Sequence, residues 1–183
     1  GGAYADALGK ATEFMSSEDA RSQYKDGLDF SRIVQDDHRD GWSKWDWTDD
    51  TDQSILVMQT VSKFIRGIGS DTRDMTPVQQ EFARALHSWV FHGFPELNDT
   101  CGVGIGIPVT WVVKTPSFRS KPVETAKDVW LNTDGTIYED GAIMRTAVIG
   151  LFPLSKADAL IYSTAICQTT HYDPRCVGAC AFI

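Results

Sequence analysis

Apolar residues recur at helical spacing along most of this chain. Ile55, Met58, Val61, Phe64, Ile65 and Ile68 fall three or four positions apart, so they share one face and predict a buried helix. Phe82, Leu86, Trp89 and Val90 form a second stripe behind Thr76-Pro77-Val78-Gln79, with Thr76 as cap, Pro77 at the first helical position and Gln79 in the capping-box place. His87, on or beside that stripe, reads as packing rather than as a ligand. Ser16 or Ser17 caps a short helix around Asp19 to Tyr24, and Val123, Ala126, Val129 and Trp130 line another from Pro122 to Trp130. An apolar helical run opens at Asp140-Gly141 and continues through Leu151 to the break at Pro153. Ser155 caps a helix to about Cys167, and Asp173-Pro174 opens the last one. Ile105 to Val113 fits either a buried strand or a helix starting at Pro108. Six to eight helices without a βαβ rhythm predict an all-α fold, a compact multi-helix single domain over residues 1–183.

Between Lys25 and Trp47 the periodicity lapses, and Gly27, Asp36, Asp37, His38, Arg39, Asp40 and Gly41 predict a long surface loop that Trp42, Trp45 and Trp47 keep ordered. It ends in Trp47-Thr48-Asp49-Asp50-Thr51-Asp52, three carboxylates and two hydroxyls just ahead of a helix. Two readings compete. Oxygen donors at this density suit a hard cation such as Mg²⁺ or Ca²⁺. Equally, Asp50 or Thr51 could cap the helix while its neighbours favour the positive end of the helix dipole.

Charge and composition narrow the classes. A formal charge of −8 with no Lys/Arg cluster excludes a general basic surface for nucleic acid. No apolar run reaches the roughly 18 residues of a membrane span and no signal-peptide pattern opens the chain, so a cytoplasmic location is expected. Cys176 and Cys180 would need two more ligands to hold zinc and read as buried thiols. Gly102-Val103-Gly104-Ile105-Gly106 misses the dinucleotide fingerprint, because Ile107 or Val109 stands where the third glycine belongs. Asp6, alone among Ala and Leu in the opening small-residue helix, is either exposed or buried with a partner.

Four segments occur together in a telling order: Ala5-Asp6-Ala7-Leu8-Gly9 with Glu13, then Trp47-Thr48-Asp49-Asp50-Thr51, Asp140-Gly141-Ala142-Ile143-Met144-Arg145, and Thr170-His171-Tyr172-Asp173-Pro174-Arg175. In these the chain resembles the ADP-ribosylglycohydrolases, the family of the dinitrogenase reductase-activating glycohydrolase and the ADP-ribosyl-acceptor hydrolases. Gly104-Ile105-Gly106, Pro116-Ser117-Phe118 and Ala126-Lys127-Asp128-Val129-Trp130 resemble its fungal-type branch.

The resemblance implies an all-α fold with two Mg²⁺ ions in a cleft where ADP-ribose is removed from a modified protein side chain or a related acceptor. By position, Thr48, Asp49 and Asp50 would be metal ligands, and Asp49 and Asp50 would join Glu13 in catalysis. Asp140, Gly141, Ala142, Met144 and Arg145 would cradle the ligand, and His171 and Asp173 would line or support its pocket, with the pyrophosphate at the helix start after Gly141. Two departures stand out. Asp140 replaces the family's usual Asn, and no Asp-x-Asp-Thr follows Cys180, so a further segment or a second chain is expected to complete the metal set. A catalytically inactive ADP-ribose binder or a structural relative stays open as the alternative.

Overall fold

The computed structural model describes residues 1–28, 30–65 and 74–182. They fall into two compact units, Gly1–Asp52 and Gln53–Ile183. Among the described residues there are nine α-helical segments, one more than the periodicity suggests, and no strand.

In the first unit, α1 (Gly2–Gly9) tightens into a 3₁₀ turn at Lys10–Thr12, and α2 (Ser17–Gln23) follows. Ser16 is the cap of α2, accepting the Asp19 N–H at 3.1 Å. So few apolar residues give only a small core, Ala11, Tyr24 and Ile33 with Met15 and Val34 against it. Tyr24 binds it to the chain: its hydroxyl donates to the Ala11 carbonyl at 3.1 Å and accepts from the Val34 N–H at 3.3 Å. The segment after α2, a surface loop by composition, is anchored by two residues buried to 2 % exposure, Ile33 and Arg39.

Helix α3 (Asp49–Ile65) begins at the last residues of this unit. Its buried positions are Asp49, Gln53, Leu56, Val57, Thr60 and Val61, while Ile55, Met58, Phe64 and Ile65 are half-buried. The buried face is therefore rotated from the expected stripe and takes in three polar residues. Ile68 lies outside the described residues.

Helices α4 (Thr76–His92), α5 (Ile107–Lys114), α6 (Pro122–Asn132), α7 (Ile143–Thr146), α8 (Lys156–Gln168) and α9 (Pro174–Phe182) complete the second unit. Its core is one apolar cluster, with Phe82, Leu86 and Trp89 from α4, Val109, Val112 and Val113 from α5, Ala126 from α6 and Ile166 from α8. A smaller cluster joins Ala142 to the buried, free thiols of Cys167, Cys176 and Cys180. The doubtful stretch at Ile105 resolves as helix because Pro108 occupies the first turn of α5, where its missing N–H costs nothing.

Three local expectations change. Met75, not Thr76, is the cap residue of α4, and the Asp74 carboxylate instead accepts the Thr76 N–H at 2.9 Å. The run after Gly141 is one α-turn and then a 3₁₀ turn, Ala147–Leu151, rather than a continuous α-helix. The glycines near 102 serve packing: a Cβ on Gly102 would lie 2.9 Å from the Trp89 indole. Gly93 ends α4 at φ 60°, a backbone setting that side chains resist.

Phe82 is wholly buried, whereas Trp111 is half exposed. Phe82→Ala is expected to lower the unfolding free energy by about 3–5 kcal/mol. Trp111→Ala should change it by no more than about 1 kcal/mol. Urea titration of both variants checks this, and equal losses would refute the core assignment.

Candidate functional site

In the first unit the acidic start of α3 is held by a residue 42 positions away. One Asp6 carboxylate oxygen accepts the Thr48 hydroxyl at 2.8 Å, and the other accepts the Thr48 N–H at 3.0 Å, the Thr51 N–H at 3.2 Å and the Thr51 hydroxyl at 2.6 Å. Thr48 in turn accepts the Asp50 N–H at 3.3 Å. The helix is thus capped by Asp6 and Thr48, not by Asp50 or Thr51, and a carboxylate bonded to N-terminal amides suits the helix dipole. Asp52 accepts the Trp47 indole N–H at 2.7 Å. Asp6, the oddity of the small-residue helix, is a half-buried residue with partners.

These bonds shape a cavity of about 360 Å³ lined by Asp6, Lys10, Thr12, Glu13, Thr48 and Asp50, together with small residues of α1. Of the predicted residues, Glu13, Thr48 and Asp50 come together here, while Asp49 is buried at 9 % exposure. Lys10, which no sequence signal marked, is buried beneath the cavity. Its ammonium donates to the Ser43 carbonyl at 3.0 Å and lies 5.6 Å from the centre of the Trp42 ring. Burial holds it below the ordinary lysine range against the pull of Asp46 and Asp6.

Arg39, also missed, fixes the backbone at Glu13. Its Nε–H donates to the Lys10 carbonyl at 2.9 Å and its Nη2 to the Glu13 carbonyl at 2.6 Å, while Nη1 pairs with Asp36. An arginine in an aperiodic loop gives no pattern from which this could be read.

In the second unit Arg145 is completely buried. Nη1 donates to Gln53 Oε1 at 2.7 Å, Nη2 to the Thr170 hydroxyl at 2.5 Å, and the guanidinium sits 4.9 Å from the centre of the Phe82 ring. The expected ligand-cradling arginine is thus engaged in the interior. Arg145 can only donate, so the Thr170 oxygen accepts from it, and the same hydroxyl lies 2.8 Å from His171 Nδ1. His171 Nε2 is buried with no hydrogen-bond partner among the described residues. Burial, with the Arg145 charge second, pushes His171 down to about 3.

The structure brings Gly141 to this histidine: a Cβ there would lie 3.5 Å from His171 Cε1. Ala142 is fully buried and Met144 half-buried. The Asp140 carbonyl accepts the Ile143 N–H at 2.7 Å, and α7 is a single turn, so the helix start expected to receive a pyrophosphate is short and bonded within itself. Asp173, 1 % exposed, accepts Arg175 Nη2 at 2.7 Å, Arg175 Nε at 2.9 Å, the Arg175 N–H at 2.8 Å and the Trp130 indole N–H at 3.2 Å. The Arg175 side chain first, then the backbone bond, hold it below the carboxylate range.

Oxygen-only donors at Thr48 and Asp50 have the chemistry a hard cation wants. No group of three or more His, Cys, Asp or Glu among the described residues is placed to hold a metal ion.

A helical chain with carboxylates gathered from separate segments, and a Thr-His-x-Asp-Pro-Arg turn packed on a glycine loop, finds its relatives by comparison. The ADP-ribosylglycohydrolase family model matches residues 1–183, across both units, and the chain belongs to that family. No curated protein and no solved structure gives a match.

Two outcomes follow from this geometry. Asp6→Ala should lower the protection of the Thr48 and Thr51 amides by about 1–3 kcal/mol. Hydrogen exchange reads it, and unchanged protection would refute the cap. For His171 the folded value, about 3, lies below the ordinary 6.5. Between them the unfolded chain takes up a proton that the folded chain refuses, so stability falls as pH drops through that window. The urea midpoint of His171→Gln should therefore fall less between pH 6.5 and about pH 4 than that of the unaltered chain. A parallel fall in both would refute the buried neutral imidazole.

Proposed function

We propose that this chain takes part in the Mg²⁺-dependent hydrolysis of an ADP-ribosyl glycosidic bond, releasing ADP-ribose from a modified protein side chain or a related acceptor. The family is one of glycohydrolases acting on ADP-ribose linkages. The observation that supports the finer reading is the convergence of Glu13, Thr48 and Asp50 on one cavity.

Cleavage at the ribose C1 builds positive charge on the ring as the leaving group departs. A cavity rimmed by Asp50 and Glu13 opposes little to such charge and much to an anion. Glu13, exposed at the rim, accepts a proton from an attacking water, and the bond from Arg39 to its carbonyl fixes its backbone there. Thr48, Asp49 and Asp50 would hold Mg²⁺, with further ligands from outside the described set. When bound, the metal supplies Lewis-acid polarisation and orientation of water and ribose hydroxyls. In the second unit Gly141 and His171 Nε2 form the ligand-side candidate, a close backbone approach beside one buried, unpartnered ring nitrogen.

A second reading is an inactive ADP-ribose-binding or structural relative. It draws on Arg145 and Asp173, whose charged groups are engaged in internal bonds.

With the metal set completed by the further segment or second chain, and with Mg²⁺ and an ADP-ribosylated peptide, Asp50→Ala and Asp49→Ala are each expected to cut ADP-ribose release by about 10²-fold or more. Undiminished release from either variant would refute its metal assignment. Calorimetric binding of ADP-ribose without any release would favour the second reading.

A further inference from the structure

We propose that His38 is a positioning residue for Glu13, fixing the carboxylate at the cavity rim; this rests on Glu13 acting in the hydrolysis proposed above. His38 Nε2 and Glu13 Oε2 are 2.9 Å apart. A carboxylate only accepts, so the imidazole donates through Nε2–H whether neutral or charged. A carboxylate has about four lone-pair sites, so this single bond leaves Glu13 free to take a water or its proton.

The imidazole is itself held between two rings. The Phe14 ring meets it edge-on at 4.9 Å and the Trp42 ring at 5.8 Å. Phe14 adopts φ 59° although it is 86 % exposed, so burial of its ring does not account for the left-handed backbone. Strain of this kind collects where a neighbouring group must be aimed. What the turn does place is Glu13 on one side and the ring against His38 on the other.

The next residue completes the grip. Arg39 donates to the Glu13 carbonyl at 2.6 Å, so consecutive loop residues hold one glutamate by its side chain and by its backbone. Arg39 is buried and structural, whereas His38 is partly exposed, with 34 % of its side chain open to solvent. His38 can therefore be altered without opening the core. Without its donor the Glu13 carboxylate, 43 % exposed, samples other rotamers and leaves the geometry that water attack needs.

The test uses the protein together with the segment or second chain that completes its metal set, with Mg²⁺ and an ADP-ribosylated peptide. His38→Ala is expected to lower kcat roughly tenfold with KM within about twofold, and His38→Gln, which keeps an N–H donor, to recover most of the loss. Unchanged kcat in His38→Ala, or equal loss in both variants, overturns the positioning role while the hydrolysis reading stands. No release by the unaltered protein with its metal set completed overturns the hydrolysis reading and this proposal with it. A readout without turnover checks the contact: in ¹⁵N-labelled protein, Glu13→Gln is expected to shift the His38 Nε2 resonance, and an unmoved resonance overturns the proposal whatever the activity.

Discussion

A guanidinium taken out of water must find acceptors for its N–H groups, and this demand organises each unit of the chain. Leaving such a charge unmet costs several kcal/mol, comparable to much of a domain's net stability. In the first unit Arg39 meets it with the carbonyls of Lys10 and Glu13 and the Asp36 carboxylate, so the turn after α1 is tied to the aperiodic loop. In the second unit the two Nη groups of Arg145 bond to Gln53, Thr170 and the Ile166 carbonyl, tying Gln53 and α7 to the end of α8. Each arginine thereby sets the backbone next to a candidate site residue, Glu13 in one case and His171 in the other.

The carboxylates divide by the same logic. Asp6, Asp52 and Asp173 spend their acceptor capacity on internal donors, which makes them builders of helix starts and turns. Asp50 and Glu13 line the cavity that Asp6 also borders, and neither is a cap of α3. The acidic hexapeptide at Trp47 is therefore a capped helix start that also borders a cavity. Thr48 and Asp6 perform the capping, and the same cap turns Asp50 toward the cavity.

His171 shows how a buried charge acts on its neighbour. Arg145 donates to Thr170, whose hydroxyl is bonded to His171 Nδ1, and burial together with the Arg145 charge keeps the imidazole neutral beside Gly141. The result is a buried ring whose protonation resists acid, next to a glycine of the Asp140-Gly141-Ala142-Ile143-Met144-Arg145 segment.

Periodicity was enough to determine the all-α class, the stripe on α4, and the capped starts of α2 and α8, because these depend on residues three or four apart in sequence. The family motifs likewise lay open in the order of their segments. What only the tertiary structure decided rests on partners far apart in the chain: Asp6 reaching Thr48 and Thr51, Arg39 reaching Glu13, Arg145 reaching Gln53 and Thr170. The rotation of the buried face of α3 onto Gln53 and Thr60 belongs with these, since those side chains are buried beside groups no local pattern brings near. Helical spacing records which residues share a face, but a buried polar group is satisfied by whatever donor or acceptor the fold delivers, and that choice is written in no single stretch of sequence.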